Sequence, residues 1–142
     1  MAEPKTKPTT ASVTAYLDRA VADPALRADC DAVSVLMQQV TGDPPVMWGT
    51  SIVGFGSYRY RYGSGREGDW PLTGFAPRSK QLVLYVMPGC DGYDEMVKAL
   101  GPMKRGVSCL YVKRYGDLDQ RALKRLLKAS VAHLRKSERR LR

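Results

Sequence analysis

The sequence is poor in the residues that make chemistry easy to read. It has one histidine, and its three cysteines, Cys30, Cys90 and Cys109, are odd in number and far apart. No Cys-x-x-Cys occurs, so neither a disulfide framework nor a thiolate zinc site is indicated. The thiols are expected to behave as small hydrophobes in a reducing, cytoplasmic setting. No apolar run approaches the roughly 20 residues of a membrane-spanning helix, so no membrane partner is expected. Lys5 and Lys7 near the start are followed by no apolar stretch, which is not the pattern of a secretory signal. A Gly-x-Gly-x-x-Gly loop leading into a helix is missing, which argues against a dinucleotide site. No serine or cysteine sits in a nucleophile context, and nothing points to an enzyme.

What remains is an ordinary globular composition: 142 residues, 44% apolar and 26% charged. That fits one domain with one core. Residues 1–11 read as a disordered leader, 12–136 as the domain and 137–142 as a basic tail. Ser12 can cap a helix with Val13, Tyr16, Leu17 and Ala20 at helical spacing. Asp23-Pro24 starts a second helix that runs to about Thr41, where Gly42-Asp43-Pro44-Pro45 stops it. The middle reads as strands. Val46–Trp48 and Ile52–Phe55 come first. Tyr58, Tyr60 and Tyr62 then alternate with Arg59 and Arg61, the period of a half-exposed strand with tyrosines under helices and arginines on an open face. After a Gly-rich hairpin, Trp70–Phe75 returns, and Pro77-Arg78-Ser79 turns again. Gln81–Met87, apolar on both faces, is the expected central strand. A short helix over 92–100, a strand over 107–112 and a last helix capped by Asp117 or Asp119 complete the chain. The expected fold class is α+β: two N-terminal helices and a C-terminal helix on one face of a mostly antiparallel sheet of about five strands.

Charge is unevenly spread. Residues 1–118 carry 14 Lys/Arg against 12 Asp/Glu, whereas residues 119–142 carry 9 against 2, so most of the net +9 belongs to the last helix. At 100° per residue from Arg121, Leu123, Leu126, Leu127, Leu134 and Leu141 fall between roughly 140° and 240°. Arg121, Lys124, Arg125, Lys128, Arg135 and Arg139 fall within roughly 60° of zero. This helix is therefore expected to pack leucines inward and present a basic stripe, a candidate site for an anionic polymer such as nucleic acid or for an acidic protein. No aromatic residue lies on the stripe. His133 borders the apolar arc and is expected to be buried or half-buried.

Several blocks together resemble a known family. Pro45-Val46-Met47-Trp48-Gly49, Ser51-Ile52-Val53-Gly54-Phe55-Gly56 and Tyr58-Arg59-Tyr60-Arg61-Tyr62 are similar to the YdhG-like domains of unknown function. Gly65-Arg66-Glu67-Gly68-Asp69-Trp70, Leu84-Tyr85, Ser108-Cys109-Leu110-Tyr111 and Ser130-Val131-Ala132-His133 fit the same pattern. The resemblance spans roughly Asp18 to Arg135. It implies a compact α-β-α arrangement like that of frataxin. For one branch it also implies weak binding of iron and its delivery to the proteins that assemble clusters or haem. The hard oxygen donors for such a role would be Asp18, Asp23, Asp29 and Asp31 of the first two helices. A second candidate is the hairpin tip with Arg66, Glu67, Asp69 and Trp70, a ligand loop on a rigid scaffold.

Overall fold

The computed structural model describes residues 7–61, 67–78, 80–87 and 89–140. Helix α1 (Val13–Ala20) starts where the Ser12 side chain accepts the Ala15 N–H. Helix α2 (Pro24–Thr41) starts with Asp23 accepting the Ala25 N–H and proline in the first turn. These caps satisfy N–H groups that the first turn of a helix leaves without partners. The strands follow as β1 (Pro45–Trp48), β2 (Ile52–Phe55), β3 (Tyr58–Arg61), β4 (Glu67–Trp70), β5 (Thr73–Arg78) and β6 (Gln81–Val86). Then come α3 (Asp94–Lys98), β7 (Lys104–Arg105), β8 (Cys109–Val112), a single 3-10 turn (Tyr115–Asp117) and α4 (Gln120–Arg140).

The architecture is α+β. Six strands form an antiparallel sheet in the order β1-β2-β5-β6-β8-β7, and β6 lies inside it as its apolar run requires. Side chains alternate across a strand, so Val53, Phe55, Phe75, Leu82, Leu84, Leu110 and Val112 share one face. They form a single buried cluster with Leu17 of α1, Val33 and Met37 of α2, and Leu123, Leu126 and Leu127 of α4. Full burial of each leucine or phenylalanine contributes about 2 kcal/mol relative to exposure.

The sheet departs from expectation in four ways. The extra strand is β7, two residues on the outer edge of β8. The Tyr/Arg strand β3 is not in the main sheet at all. It pairs only with β4, as a separate two-stranded hairpin, because Pro71 interrupts the return before β5 begins. Pro77 and Arg78, expected in a turn, continue β5. The second sheet face is covered along β1, β2, β5 and part of β6, where Trp48, Ile52, Ala76 and Val83 are buried, and stays open toward the β7–β8 edge, where Lys104 is exposed. Part of the cover comes from the hairpin, whose Trp70 lies tilted against Trp48 with ring centroids 6.3 Å apart. Gly54 makes this possible, since a Cβ there would sit 2.5 Å from the Trp48 ring and 2.8 Å from Pro71 Cβ. The same face of the hairpin meets α4, where Tyr58 and Trp70, partners in the register, pack against Leu72, Met87, Val131 and Leu134.

Residues 7–9, expected within an unstructured leader, run along β1. Thr9 N–H donates to the Met47 carbonyl, Gly49 N–H donates to the Lys7 carbonyl, and Pro8 bridges Trp48. Among the described residues no helix is long and apolar enough to cross a membrane.

Candidate functional site

The four aspartates of the first two helices do not converge. Asp23 is used as the α2 cap. Asp18 of α1 and Asp31 of α2 both bind the guanidinium of Arg27, Asp31 through Arg27 Nε at 3.2 Å. Their hydrogen bonds raise the Arg27 pKa above its ordinary value, Asp18 contributing most. Asp29 turns the other way, into the interior, and is only 8% exposed. Its Oδ2 accepts from Arg114 Nε at 2.9 Å and from the Tyr115 N–H at 3.1 Å. Asp29 thus ties α2 to the turn that leads into α4. Residues two apart on a helix point in different directions, which is why Asp29 and Asp31 serve different partners. Among the described residues no group of three His, Cys, Asp or Glu side chains could hold a metal ion.

The last helix is built differently. Asp119 caps it, accepting the N–H groups of Arg121 and Ala122 at 3.0 Å each. The inward face is leucine, as the wheel requires. On the outward face Arg121, Arg125 and Lys128 are exposed and Lys124 is half-buried. Among the described residues none of the four side chains has a hydrogen bond or an ion pair. Their spacings of three and four place like charges side by side, each pair costing a few tenths of a kcal/mol. Cations in the first turn also face the positive end of the helix dipole. The arrangement works against helix stability, and leucine burial carries the helix.

Arg135 does not belong to this free group. It donates to the Thr41 carbonyl at 2.6 Å and lies 3.6 Å from Asp43, so it caps the C-terminus of α2. The Arg139 side chain lies outside the described residues. His133, expected at least half-buried, is exposed, because Val131 and Leu134 on either side take the inward positions.

The hairpin candidate is largely self-contained. Arg66 lies outside the described residues, as does Tyr62. Arg59 stands across from Asp69 in the register and binds it at 3.4 Å, with Glu67 at 3.6 Å. Trp70 is half-buried against Trp48. The carboxylates thus serve a neighbouring arginine, and the indole serves packing. Cys30 and Cys90 are buried and Cys109 half-buried. Burial, with the charge of Asp31 second, pushes the Cys30 thiol up to about 12, so it is inert at neutral pH.

Sequence reasoning overlooked a groove at the β7–β8 edge, lined in part by Lys104, Tyr111 and Lys113. The available signal was the period-two placement of Tyr111 and Lys113, but β7 is too short to be recognised from its own residues. Compared with family models, with curated proteins and with solved structures, the chain matches none of them.

Proposed function

We propose that the chain binds an anionic polymer through the first half of α4, with Arg121, Lys124, Arg125 and Lys128 contacting its charges. The observation that carries this reading is the lack of any partner for these four among the described residues. By contrast, Arg27, Arg59, Arg105 and Arg114 all hold carboxylates. A nucleic-acid backbone fits best. Four cations with no aromatic among them can neutralise phosphates but cannot read bases.

The test is binding to a short labelled duplex at 50 and 200 mM salt. Four neutralised phosphates give a log-log salt slope of about −3.6, a loss of roughly 100-fold over that range, with no sequence preference. Changing the four residues to glutamine should abolish the slope and leave the fold intact. A wild-type protein that does not bind at 50 mM salt, or a variant that keeps the slope, overturns the proposal.

The resemblance to YdhG-like, frataxin-like domains supports the same general build, with α1, α2 and α4 sharing one core with the sheet. Iron binding and delivery, which that resemblance also implies, rests on the resemblance alone. The geometry supplies no comparable support, since Asp18, Asp23, Asp29 and Asp31 are each engaged by another group.

A further inference from the structure

The sheet register places a set of unassigned polar residues on one face at its β7–β8 edge. Lys104 stands opposite Tyr111, and Tyr111 stands opposite Val83. Lys113, just past the end of β8, lines the same groove. Gln81 continues the row on β6, since its neighbour Leu82 pairs with Val112. These side chains line a groove of about 720 Å³, with Met103 as apolar wall and Asp117 at the rim near α4. The volume falls within the range of about 300–1,000 Å³ that small-molecule sites occupy.

Four properties define what the groove would take. First, Lys104 and Lys113 are exposed and have no partner among the described residues. Both line the same groove, and their long flexible stems allow two ammonium groups to meet on one diphosphate. Second, the third cation is already committed. Arg105 is bound to Asp94 and lies 3.8 Å from Asp91. Third, Tyr111 is half-buried on a strand paired on both sides, so its ring is held. Gly106 lies against one edge of the ring, where an added Cβ would stand 3.2 Å from Tyr111 Cε2. Fourth, Asp117 repels phosphate but accepts hydrogen bonds from hydroxyl or amino groups. It therefore orients a ligand with its phosphates toward the lysines.

We propose that this groove binds a nucleoside diphosphate, with Lys104 and Lys113 on the phosphates, Tyr111 against the base, and Asp117 and Gln81 on hydroxyl or amino groups. The site is separate from the basic face of α4 and does not depend on it.

The test is titration of the full chain with ADP by calorimetry and by amide chemical shifts, with adenosine and inorganic pyrophosphate as parallel probes. ADP is expected to bind more tightly than either probe and to shift the amides of Lys104, Tyr111 and Lys113. The exposed pair Lys104→Gln, Lys113→Gln should fold normally and weaken ADP by about tenfold or more, the scale of two charge-assisted contacts. Tyr111→Leu should weaken ADP while leaving pyrophosphate unchanged. The variant with Arg121, Lys124, Arg125 and Lys128 changed to glutamine should bind ADP as the wild type does. No ADP binding, equal affinity for pyrophosphate and ADP, or ADP binding lost only in the α4 variant would each overturn the assignment.

Discussion

Helix α2 carries its charges in closed pairs, whereas the first half of α4 carries four cations whose side chains have no partner among the described residues. On α2, Arg27 is shared by Asp18 and Asp31, and Asp29 is met by Arg114. On α4, Arg121, Lys124, Arg125 and Lys128 share a face with nothing acidic against it among the described residues. The two helices touch, so the contrast is not one of distance. Arg135, farther along α4, shows how contact resolves charge: where α4 meets the C-terminus of α2, the arginine is taken up by the Thr41 carbonyl. Charge is neutralised where the fold brings segments together and is left open where a face has only solvent before it. Net charge alone is therefore a poor guide to a site, and charge without a partner is a better one.

The strongest way to test the closed side of this contrast is Asp29→Ala. The substitution removes the acceptor of the Tyr115 N–H in a buried setting and the partner of Arg114. Because Arg114 is over half exposed, water and salt take over much of its charge, and the larger cost falls on the orphaned N–H. We expect a loss of about 2–3 kcal/mol in urea unfolding, with the slope unchanged. Asp29→Asn, which keeps an acceptor, should lose less. Equal losses for the two variants would show that charge, not the hydrogen bond, matters here.

A smaller effect comes from Cys30, which sits between the two aspartates and is fully buried. Its thiol is pushed up to about 12 from an ordinary 9.0, by burial first. The sign follows from linkage. The unfolded chain releases this proton from pH 9 upward and the folded chain holds it to about 12, so the stabilisation is intact below pH 9 and is lost as pH rises between the two. At pH 10 the loss is about 1 kcal/mol. Comparing wild type with Cys30→Ala at pH 8 and pH 10 isolates this term, since the cavity cost is the same at both. An identical difference at the two pH values would show that the thiol is more solvated than its burial implies.

The parts of the structure that depend on neighbours in sequence were legible from it. Ser12, Asp23 and Asp119 announce helix starts because a cap acts within three residues. The leucine arc of α4 and the continuous apolar run of β6 likewise define their own faces. Features set by distant partners were not legible. The packing of the β3–β4 hairpin on the main sheet depends on Trp70 meeting Trp48, and Arg59 finds its carboxylates only through the hairpin register. The Asp29–Arg114 pair joins residues 85 apart, and Arg135 meets Thr41 across 94. For the candidate sites this decided the outcome. The aspartates and the basic stripe were visible as residues, but which of them were already engaged was not.

The weakest effect is also the most direct probe of the contrast. If Arg27 is what closes the acidic side, removing its charge should open it. Arg27→Gln leaves Asp18 and Asp31 facing the same space without the guanidinium between them. Both carboxylates are more than half exposed, so the fold has little to lose. Two exposed carboxylates without a third protein ligand leave most of a divalent ion's coordination to water. Binding should therefore be weak, with a dissociation constant on the order of millimolar, the range of low-charge, loosely held sites. Calorimetric titration with Mn²⁺ is expected to show heat for Arg27→Gln, none for wild type, and none for Arg27→Gln combined with Asp31→Asn. Heat in the wild type that disappears in Asp18→Asn would mean that Arg27 does not close the pair, and the iron reading would then regain a site. Equal silence in all three would mean that the two carboxylates spread apart once the guanidinium is gone. In that case Arg27 holds the α1–α2 corner together as well as neutralising it.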